Sequence, residues 1–394
     1  MLSFTKSKSD CMGCTACFSV CPTACITMQQ DSEGFQYPVS SDACIECGLC
    51  ERICPIANPA EKGITHDQKA YAALSNDYSI WHRSASGGAF SEICLAWGDD
   101  KTIVVGAAWN GLYVHHICIE GVGNIAPLCK SKYVASSLEN VFSEIKNFLQ
   151  KDRKVIFCGT PCQIAGLKAF LRKKYVNLLT IDLICHGVGS PSVFNTSVDV
   201  IGKQFGVKVN SYEFRAKRKV HETDYLQLIG TEEDGVRFLI KDQYIQLFLS
   251  QLCLRPSCGQ NCKFRDIKRE GDITLADFKG LWDVFPDLIG SKKNYSTIVS
   301  NSSMGDEVVD LLYESMELRP VSIDTILKYN PLFGRQTWFE PHRDKFFEDF
   351  KISAEGAIEK WTKPAQTFNI GIKGRIKALI PVLALRFIYK LRHK

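Results

Sequence analysis

The chain has 394 residues, a length typical of two or three domains, and 45% of its residues are hydrophobic and 23% charged. This composition is that of an ordinary globular protein and argues against wholesale disorder, a collagen-like fibre and a polytopic membrane protein. The net charge is +5, but the last 24 residues hold seven Lys or Arg and no acidic residue. The rest of the chain is therefore near neutral and offers no broad basic face to a nucleic acid. Eighteen cysteines in a chain this long indicate metal ligands rather than a disulfide framework.

Two cysteine runs of identical spacing lie near the start of the chain. Each reads CxxCxxCxxxCP, and the second follows the first by 33 residues. This is the spacing of bacterial ferredoxins, in which the fourth cysteine of each run binds the cluster of the other run. It predicts two 4Fe-4S clusters, because the alternative, a pair of zinc sites, takes its ligands as two separated pairs. The two ligand sets are Cys11, Cys14, Cys17 and Cys54, and Cys44, Cys47, Cys50 and Cys21.

A domain that holds two adjacent clusters relays electrons one at a time and has no substrate pocket of its own. We therefore expect the chemistry of the protein to lie further along the chain. Cys25 stands outside both runs and is interpreted as a small buried hydrophobic residue.

The segment WHRSASGGAF, from Trp81 to Phe90, places small residues just before a helical stretch. Ser86, Gly87 and Gly88 could form an anion cradle there, because free amides and the helix dipole point at a phosphate. An N-cap followed by flexible glycines is the alternative. The sequence leaves both interpretations open.

A strand, a turn and a helix follow in the middle of the chain. Lys154 to Cys158 is an apolar run of buried-strand length. Thr160 and Gln163 fit a capping box with Pro161 at the first helical position. A second buried strand from Leu178 ends in Cys-His-Gly. The pattern predicts a βαβ unit, in which ligands bind at the carboxyl ends of the strands.

Two residues of this unit are candidate catalytic residues. Cys162 lies in the first helical turn, where the helix dipole lowers the pKa of an exposed thiol. It is either a nucleophile or part of a cofactor pocket. His186 is either a proton donor or a core histidine with satisfied hydrogen bonds.

Three more cysteines, Cys253, Cys258 and Cys262, stand close together among basic residues. Three thiolates of one cluster commonly come from one loop and the fourth from a distant segment. Cys185, at the end of the second buried strand, is the leading candidate for the fourth ligand. A structural zinc site is the alternative.

Seven motifs, taken in order, resemble the family of coenzyme F420 hydrogenase/dehydrogenase beta subunits. The resemblance is to the version with an N-terminal two-cluster ferredoxin domain, which is associated with bacterial polysaccharide biosynthesis. The motifs cover roughly residues 1–285 and are the paired cysteine runs, SASGG at 84–88, KSKYV at 130–134, GTPCQ at 159–163, DLICHG at 182–187, CLRPSC at 253–258 and DITLADF at 272–278.

The resemblance implies an FAD-containing oxidoreductase with a further iron-sulfur cluster beside the flavin. Members of this family pass electrons between one-electron carriers and a two-electron acceptor, which is coenzyme F420 in the namesake and differs in relatives that reduce chlorophyll-type substrates. Carried over by motif, the residues in contact with the flavin are Ser86, Gly87, Gly88, Lys132, Thr160, Cys162 and Gln163. The ligands of the third cluster are Cys185, Cys253, Cys258 and Cys262.

The sequence departs from the family pattern at two places. Three residues separate Cys258 from Cys262, where the family usually has two. Lys279 occupies the place of an aromatic residue in the family's GDFWG motif, which weakens the claim on F420 itself.

Three functions follow from these features. The leading hypothesis is an enzyme in which electrons pass from the ferredoxin domain through a third cluster to FAD and leave in pairs to a small-molecule acceptor. The second is an electron-transfer subunit that delivers electrons to a partner protein. The third is a scaffold whose flavin site is inactive. A redox partner protein or ferredoxin is expected, nucleic acid is not, and a homo-oligomer is left open.

The expected fold is an α+β ferredoxin-like two-cluster domain followed by an α/β flavin-binding domain with a cluster-bearing C-terminal region. The domain boundaries are 1–60 for the ferredoxin domain, 66–250 for the flavin-binding domain, 251–370 for the C-terminal domain and 371–394 for a basic amphipathic tail.

The two ends of the chain bear on location. The N-terminus lacks the apolar stretch of a secretory signal, which predicts a cytoplasmic protein. In the tail, the longest uncharged stretch runs from Ala378 to Leu385 and contains Pro381, so it is too short to span a bilayer. The tail is either a helix docked on the protein or an interfacial helix in peripheral contact with the inner face of the membrane.

Overall fold

The computed structural model describes residues 2, 7–59, 66–218, 221–231, 235–334 and 340–367. The predicted tail, 371–394, lies outside these ranges. No helix in the described ranges is both long and apolar enough to cross a membrane.

The described residues form three sheets and the helices packed on them. The strands are β1 (Ile26–Gln30), β2 (Gln36–Ser40), β3 (Lys69–Ser75), β4 (Ile103–Asn110), β5 (Tyr113–Glu120), β6 (Val155–Cys158), β7 (Leu178–Leu183), β8 (Val209–Arg218), β9 (His221–Thr231), β10 (Gly235–Ile240), β11 (Ile273–Asp277), β12 (Ser296–Ser300), β13 (Met316–Val321) and β14 (Gln366–Thr367). The α-helices are α1 (Ala16–Val20), α2 (Leu49–Arg52), α3 (Tyr78–Arg83), α4 (Ala89–Trp97), α5 (Val141–Gln150), α6 (Pro161–Leu171), α7 (Pro191–Phe205), α8 (Gln243–Leu249), α9 (Leu281–Val284), α10 (Ser303–Leu312), α11 (Ile323–Tyr329), α12 (Arg343–Ile352) and α13 (Ala354–Trp361).

The ferredoxin unit, residues 7–59, is a two-stranded antiparallel sheet with a short helix in each cysteine run. Helix α1 begins after Thr15 and helix α2 after Gly48, and both of these residues adopt left-handed backbone angles, with φ of 61° and 66°. Thr15 and Gly48 occupy equivalent places in the two runs. The internal sequence repeat is therefore also a repeat of backbone conformation.

The largest sheet has eight strands in the order β13-β3-β12-β11-β7-β6-β4-β5. Strands β4, β6, β7 and β11 run parallel, and the outer strands are antiparallel to their neighbours. Helices α4 and α10 cover one face and helices α5 and α6 the other. Because both faces are covered, the parallel strands are continuous apolar runs, such as Val155 to Phe157, whose residues are all buried.

The sequence boundary at residue 250 divides this sheet and is corrected by the structure. Strand β11 pairs with β7, and β12 pairs with β3, so the segment after residue 250 supplies strands to the same sheet as the segment before it. A separate four-stranded sheet, β14-β10-β9-β8, packs with helices α7, α8 and α13 around an aromatic core that includes Phe194, Tyr212 and Tyr244.

The ferredoxin unit shares hydrophobic cores with the rest of the chain. Ala16 and Ile53 are buried in the core beneath α5 and α6, and Phe35 and Tyr37 are buried in the core of the four-stranded sheet. The unit is thus packed against both sheet-bearing parts of the molecule.

Candidate iron-sulfur centres

The first thiol group of the ferredoxin unit lines a single cavity. Its members are Cys11, Cys14, Cys17 and Cys54, the crossed set that the spacing predicts. Burial raises the pKa of Cys14 to about 12, and it also raises the pKa of Cys17. Four cysteine thiols around one cavity are the donor set of a 4Fe-4S cluster, so the residues present fit this group.

The second thiol group lies in the same unit. Cys21 and Cys50 pack against a small core formed by Cys25 and Ile26, and Cys44 and Cys47 are exposed. Burial raises the pKa of Cys50, and the neighbouring Cys44 and Cys47 add to the shift. Cys25 is buried, as expected, with its Sγ 3.3 Å from Cys21 Sγ.

A third thiol group lines a cavity at the carboxyl edge of the eight-stranded sheet. Its members come from three segments: Cys162 from the first turn of α6, Cys185 from just beyond β7, and Cys258 and Cys262 from either side of a short 3-10 helix, Gly259–Asn261. We call this cavity the four-thiol site. Strands β6 and β7 are parallel neighbours, so the segments that follow them meet at one edge.

Main-chain and arginine contacts hold the four-thiol site together. The Val188 amide donates to Cys258 Sγ at 3.5 Å. The Arg265 guanidinium donates to the carbonyls of Cys185 at 3.2 Å and Gly259 at 3.1 Å. One buried cation therefore connects the loop after β7 to the loop that carries Cys258 and Cys262.

Burial is the main influence on these thiols. It raises the pKa of Cys185 to about 12 and also raises the pKa of Cys258 and Cys162. In the described part of the chain, no three His, Cys, Asp or Glu side chains converge on one point as a single metal ion requires. The thiols are instead distributed around the cavity wall, and four thiols in this arrangement have the chemistry of a 4Fe-4S donor set.

Cys253, expected among the third-cluster ligands, does not line this cavity. It is fully buried in the core of the four-stranded sheet, and its carbonyl accepts a hydrogen bond from the Ser190 amide at 2.9 Å. The side chain points into this core because residues 252–254 pack there as an apolar run. Cys253 therefore does not belong to the four-thiol site, which Cys162 lines in addition to the three cysteines expected there.

The two candidate catalytic residues are buried or hydrogen-bonded within the protein. Cys162 is not an exposed helix-dipole thiol, since burial raises its pKa well above the usual value. His186 places Nε2 3.1 Å from the carbonyl of Phe248, and burial lowers its pKa to about 4. A partly buried imidazole that bonds a main-chain carbonyl has the surroundings of the core-histidine alternative.

The segment expected to cradle a flavin diphosphate is already engaged within the protein. Ser86 Oγ donates to the Tyr295 carbonyl at 2.7 Å, and the Gly87 amide donates to Ser296 Oγ at 2.9 Å. A Cβ at Gly87 would lie 2.2 Å from the Ala73 carbonyl oxygen. Gly88 does start helix α4, with a φ of 97°, but the buried carboxylate of Glu92 occupies the first helical turn. Close packing between β3 and β12 accounts for the absence of a side chain at Gly87.

The other residues expected at a flavin have partners within the protein. Thr160 and Gln163 form the predicted capping box, with the Thr160 amide 2.8 Å from Gln163 Oε1. Lys132 Nζ donates to the carbonyls of Cys129 at 2.7 Å and Pro127 at 3.0 Å. Burial lowers the pKa of Lys132 to about 8.

The first ferredoxin cavity and the four-thiol site are neighbours. Met12 lines both cavities. Helix α6 also reaches both, since Cys162 in its first turn lines the four-thiol site and Gly166, one turn later, packs against Cys14. A Cβ at Gly166 would lie 2.9 Å from Cys14 Sγ.

Comparison with known families gives two matches. Residues 152–325 match the family described as the C-terminal part of the coenzyme F420 hydrogenase/dehydrogenase beta chain, and residues 10–58 match the 4Fe-4S dicluster domain. The chain therefore carries a domain of the coenzyme F420 hydrogenase/dehydrogenase beta-subunit family together with an N-terminal 4Fe-4S dicluster domain. It is an iron-sulfur protein related to subunits of oxidoreductases.

Individual relatives cover different parts of the chain. A protein named ferredoxin 7Fe from Hydrogenibacillus schlegelii is 36% identical over 64 residues, which are 16% of this chain and 77% of that protein. One subunit of the F420H2 dehydrogenase of Methanosarcina mazei is 24% identical over 190 residues, 44% of this chain and 53% of that protein. This chain thus spans about half the length of the second relative. A solved structure of the F420-reducing NiFe hydrogenase complex from Methanosarcina barkeri gives a TM-score of 0.44 at 18% identity, covering 74% of this chain and 89% of that one.

Of the eight thiols that line the two cavities, sequence reasoning named seven as metal ligands and placed the eighth, Cys162, at a flavin. A signal was present: Cys162 and Cys185 follow neighbouring parallel strands and so share a sheet edge. The link through Met12 and Gly166 had no signal in the spacing, because it depends on how the ferredoxin unit docks.

Proposed function

We propose that this protein is an electron-transfer subunit in which the ferredoxin unit exchanges electrons with a third 4Fe-4S centre held by Cys162, Cys185, Cys258 and Cys262. Bound clusters supply reversible one-electron storage. The observation that carries the proposal is the common wall of the first ferredoxin cavity and the four-thiol site, formed by Met12.

The protein's own residues supply rigidity and charge at this junction. Helix α6 fixes Cys162 relative to Cys14, because Gly166 lets the helix backbone approach the ferredoxin loop closely. Buried arginines at the four-thiol site, such as Arg265, offset the negative charge that four thiolates would bring into a low-dielectric interior.

The acceptor is proposed from the relatives. The name of the Methanosarcina mazei relative refers to F420H2, the reduced form of a two-electron carrier. We propose the oxidised form of such a carrier as the class of acceptor used by the chain's partners. The resemblance to the family also implies FAD. Since the Gly87 amide and the Ser86 hydroxyl are engaged within the protein, the proposed path ends at the four-thiol site, and a partner protein or dissociable acceptor takes the electrons from there.

Iron analysis of anaerobically purified protein tests the ligand set. The parent chain is expected to hold about twelve irons, from three clusters. Cys162→Ala is expected to remove about four of them and one low-temperature EPR signal, because it deletes one thiolate of the third centre. Cys253→Ala is the matched control and is expected to keep all of the iron.

Two outcomes would overturn the assignment. One is a full iron content in Cys162→Ala, and the other is the loss of about four irons in Cys253→Ala. Analysis of the cofactors released from the same samples shows whether FAD is present. Oxidation of the reduced protein by added F420 shows whether this acceptor is used.

A further inference from the structure

Arg255 belongs to the loop of the four-thiol site but extends into the ferredoxin unit. It lies between Cys253 and Cys258 in the sequence. Its Nε donates to the Cys11 carbonyl at 2.8 Å, and its Nη2 donates to the Gln36 carbonyl at 2.9 Å and to Cys11 Sγ at 3.7 Å. The residue is 4% exposed, so this is a fixed, buried contact.

The surroundings hold the guanidinium in one place. It stacks over the ring of Tyr37, 4.2 Å from the ring centre. A Cβ at Gly13, in the loop between Cys11 and Cys14, would lie 2.9 Å from Nη1. The first cysteine loop therefore closes around the arginine, and within the described ranges Arg255 forms no salt bridge with a carboxylate.

We propose that Arg255 is a positioning residue that raises the reduction potential of the centre formed by Cys11, Cys14, Cys17 and Cys54. This inference rests on the proposed function, because it requires a cluster in that cavity. An added electron makes such a centre more negative, and a buried positive charge beside it favours the reduced form. An N–H donor to a ligand sulfur acts in the same direction.

The effect is selective for one of the two ferredoxin centres. The hydrogen bonds and ring contacts of the Arg255 guanidinium involve Cys11, Gln36, Phe35 and Tyr37, and none of these residues belongs to the second thiol group. Arg255 therefore favours the electron on the centre that shares Met12 with the four-thiol site.

The test is a redox titration followed by low-temperature EPR, on samples whose iron content has been measured. In Arg255→Gln, which removes the charge, the couple of the first ferredoxin centre is expected to shift most to more negative potential. The couple of the four-thiol site is expected to shift less, because the charge also acts on Cys258, and the couple of the second ferredoxin centre is expected to stay. In Arg255→Lys, which keeps the charge but loses the planar fork, the couple of the first ferredoxin centre is expected to shift less than in Arg255→Gln.

Arg343→Gln is the matched control, because Arg343 lies at the same junction but none of its hydrogen bonds given below goes to a cysteine sulfur. It donates to the Leu254 carbonyl at 2.7 Å and to Glu33 Oε2 at 2.6 Å. No couple is expected to shift in this variant. An equal shift in Arg343→Gln would show an effect of docking instead of charge.

Other results also count against the inference. The inference fails if no reduction potential shifts in Arg255→Gln. It also fails if both Arg255 variants lose about four irons, since Arg255 would then have a purely structural role. Failure of the proposed function is recognised separately, by a parent chain that lacks iron in the ferredoxin unit or in the four-thiol site.

Discussion

His116 is a buried imidazole on strand β5, away from the thiol groups of the proposed electron path. Its Nδ1 lies 2.6 Å from Ser136 Oγ, and its ring stacks obliquely near Phe157. Burial lowers the pKa of His116 to about 4. In the unfolded chain a histidine titrates near about 6.5, so the two states bind different numbers of protons between these values.

The sign of this difference predicts a loss of stability in acid. Because the folded pKa is depressed, the contribution is fully present above about pH 6.5 and is lost as the pH falls toward 4. At about pH 5.5 the loss is on the order of 1 kcal/mol. His116→Gln keeps a polar group near Ser136 but cannot take up the proton. We expect its melting temperature to fall less than that of the parent between about pH 7.5 and pH 5.5, by about 2 °C.

Anaerobic thermal unfolding followed by tryptophan fluorescence measures this effect. His342→Gln is the control, because His342 is an exposed histidine with a side chain 63% accessible, and it is expected to follow the parent. Equal falls in melting temperature for the parent and His116→Gln would contradict the prediction.

At the level of single cysteines, local spacing predicted a set of ferredoxin thiols that the structure brings to one cavity, whereas it did not predict all the thiols of the four-thiol site. The two ferredoxin sets follow from spacing alone, because each run folds into its own loop and short helix. Cys162 lines the four-thiol site because the strand before it ends there, whereas the Cys253 side chain turns into an apolar core. Spacing does not encode this direction.

Among the elements, helix α6 was the most predictable. Its capping box, its proline at the first position and the strand before it are local signals, and the structure confirms them. The boundary at residue 250 was wrong because β11 and β12 pair with strands from much earlier in the chain. Apolar periodicity predicts that a strand exists but not which strand it joins.

Gly166 is the point at which helix α6 contacts the ferredoxin unit, and it yields a test of that packing. Gly to Ala in a helix normally stabilises by about 1 kcal/mol. Here the new Cβ would lie 2.8 Å from Cys14 Cβ and 2.9 Å from its Sγ. We therefore expect Gly166→Ala to destabilise the protein by about 1 to 3 kcal/mol, through overpacking.

Gly123→Ala provides the comparison, because a Cβ there meets nothing within 4 Å. Both variants are to be measured by thermal unfolding and by iron content, and Gly123→Ala is expected to match the parent. A Gly166→Ala protein that is as stable as the parent and holds its full iron would show that helix α6 is not tightly packed on Cys14.

Over the whole molecule, the position of the ferredoxin unit is the feature on which the proposed electron transfer to the four-thiol site depends. Its loop between β1 and β2 docks at the start of α7, where Gln30 Nε2 donates to Ser192 Oγ at 2.9 Å. The same loop forms the ion pair of Glu33 with Arg343, at 2.6 Å, and the two side chains are only 12% and 13% exposed. Docking of this kind is invisible to motif reasoning, because its residues lie far apart in the sequence.

The last prediction reverses this ion pair. Glu33→Lys would place two cations together in a mostly buried site, and breaking such a pair costs about 3 kcal/mol. We expect a lower melting temperature and slower electron transfer from the ferredoxin unit to the four-thiol site. The rate of transfer is measured by freeze-quench EPR after rapid mixing with a reductant. The double variant Glu33→Lys with Arg343→Glu restores opposite charges and is expected to recover most of both properties. Glu51→Lys makes the same change of charge at an exposed position of α2. If it slows transfer as much as Glu33→Lys does, net charge on the ferredoxin unit controls the rate and the docked geometry does not.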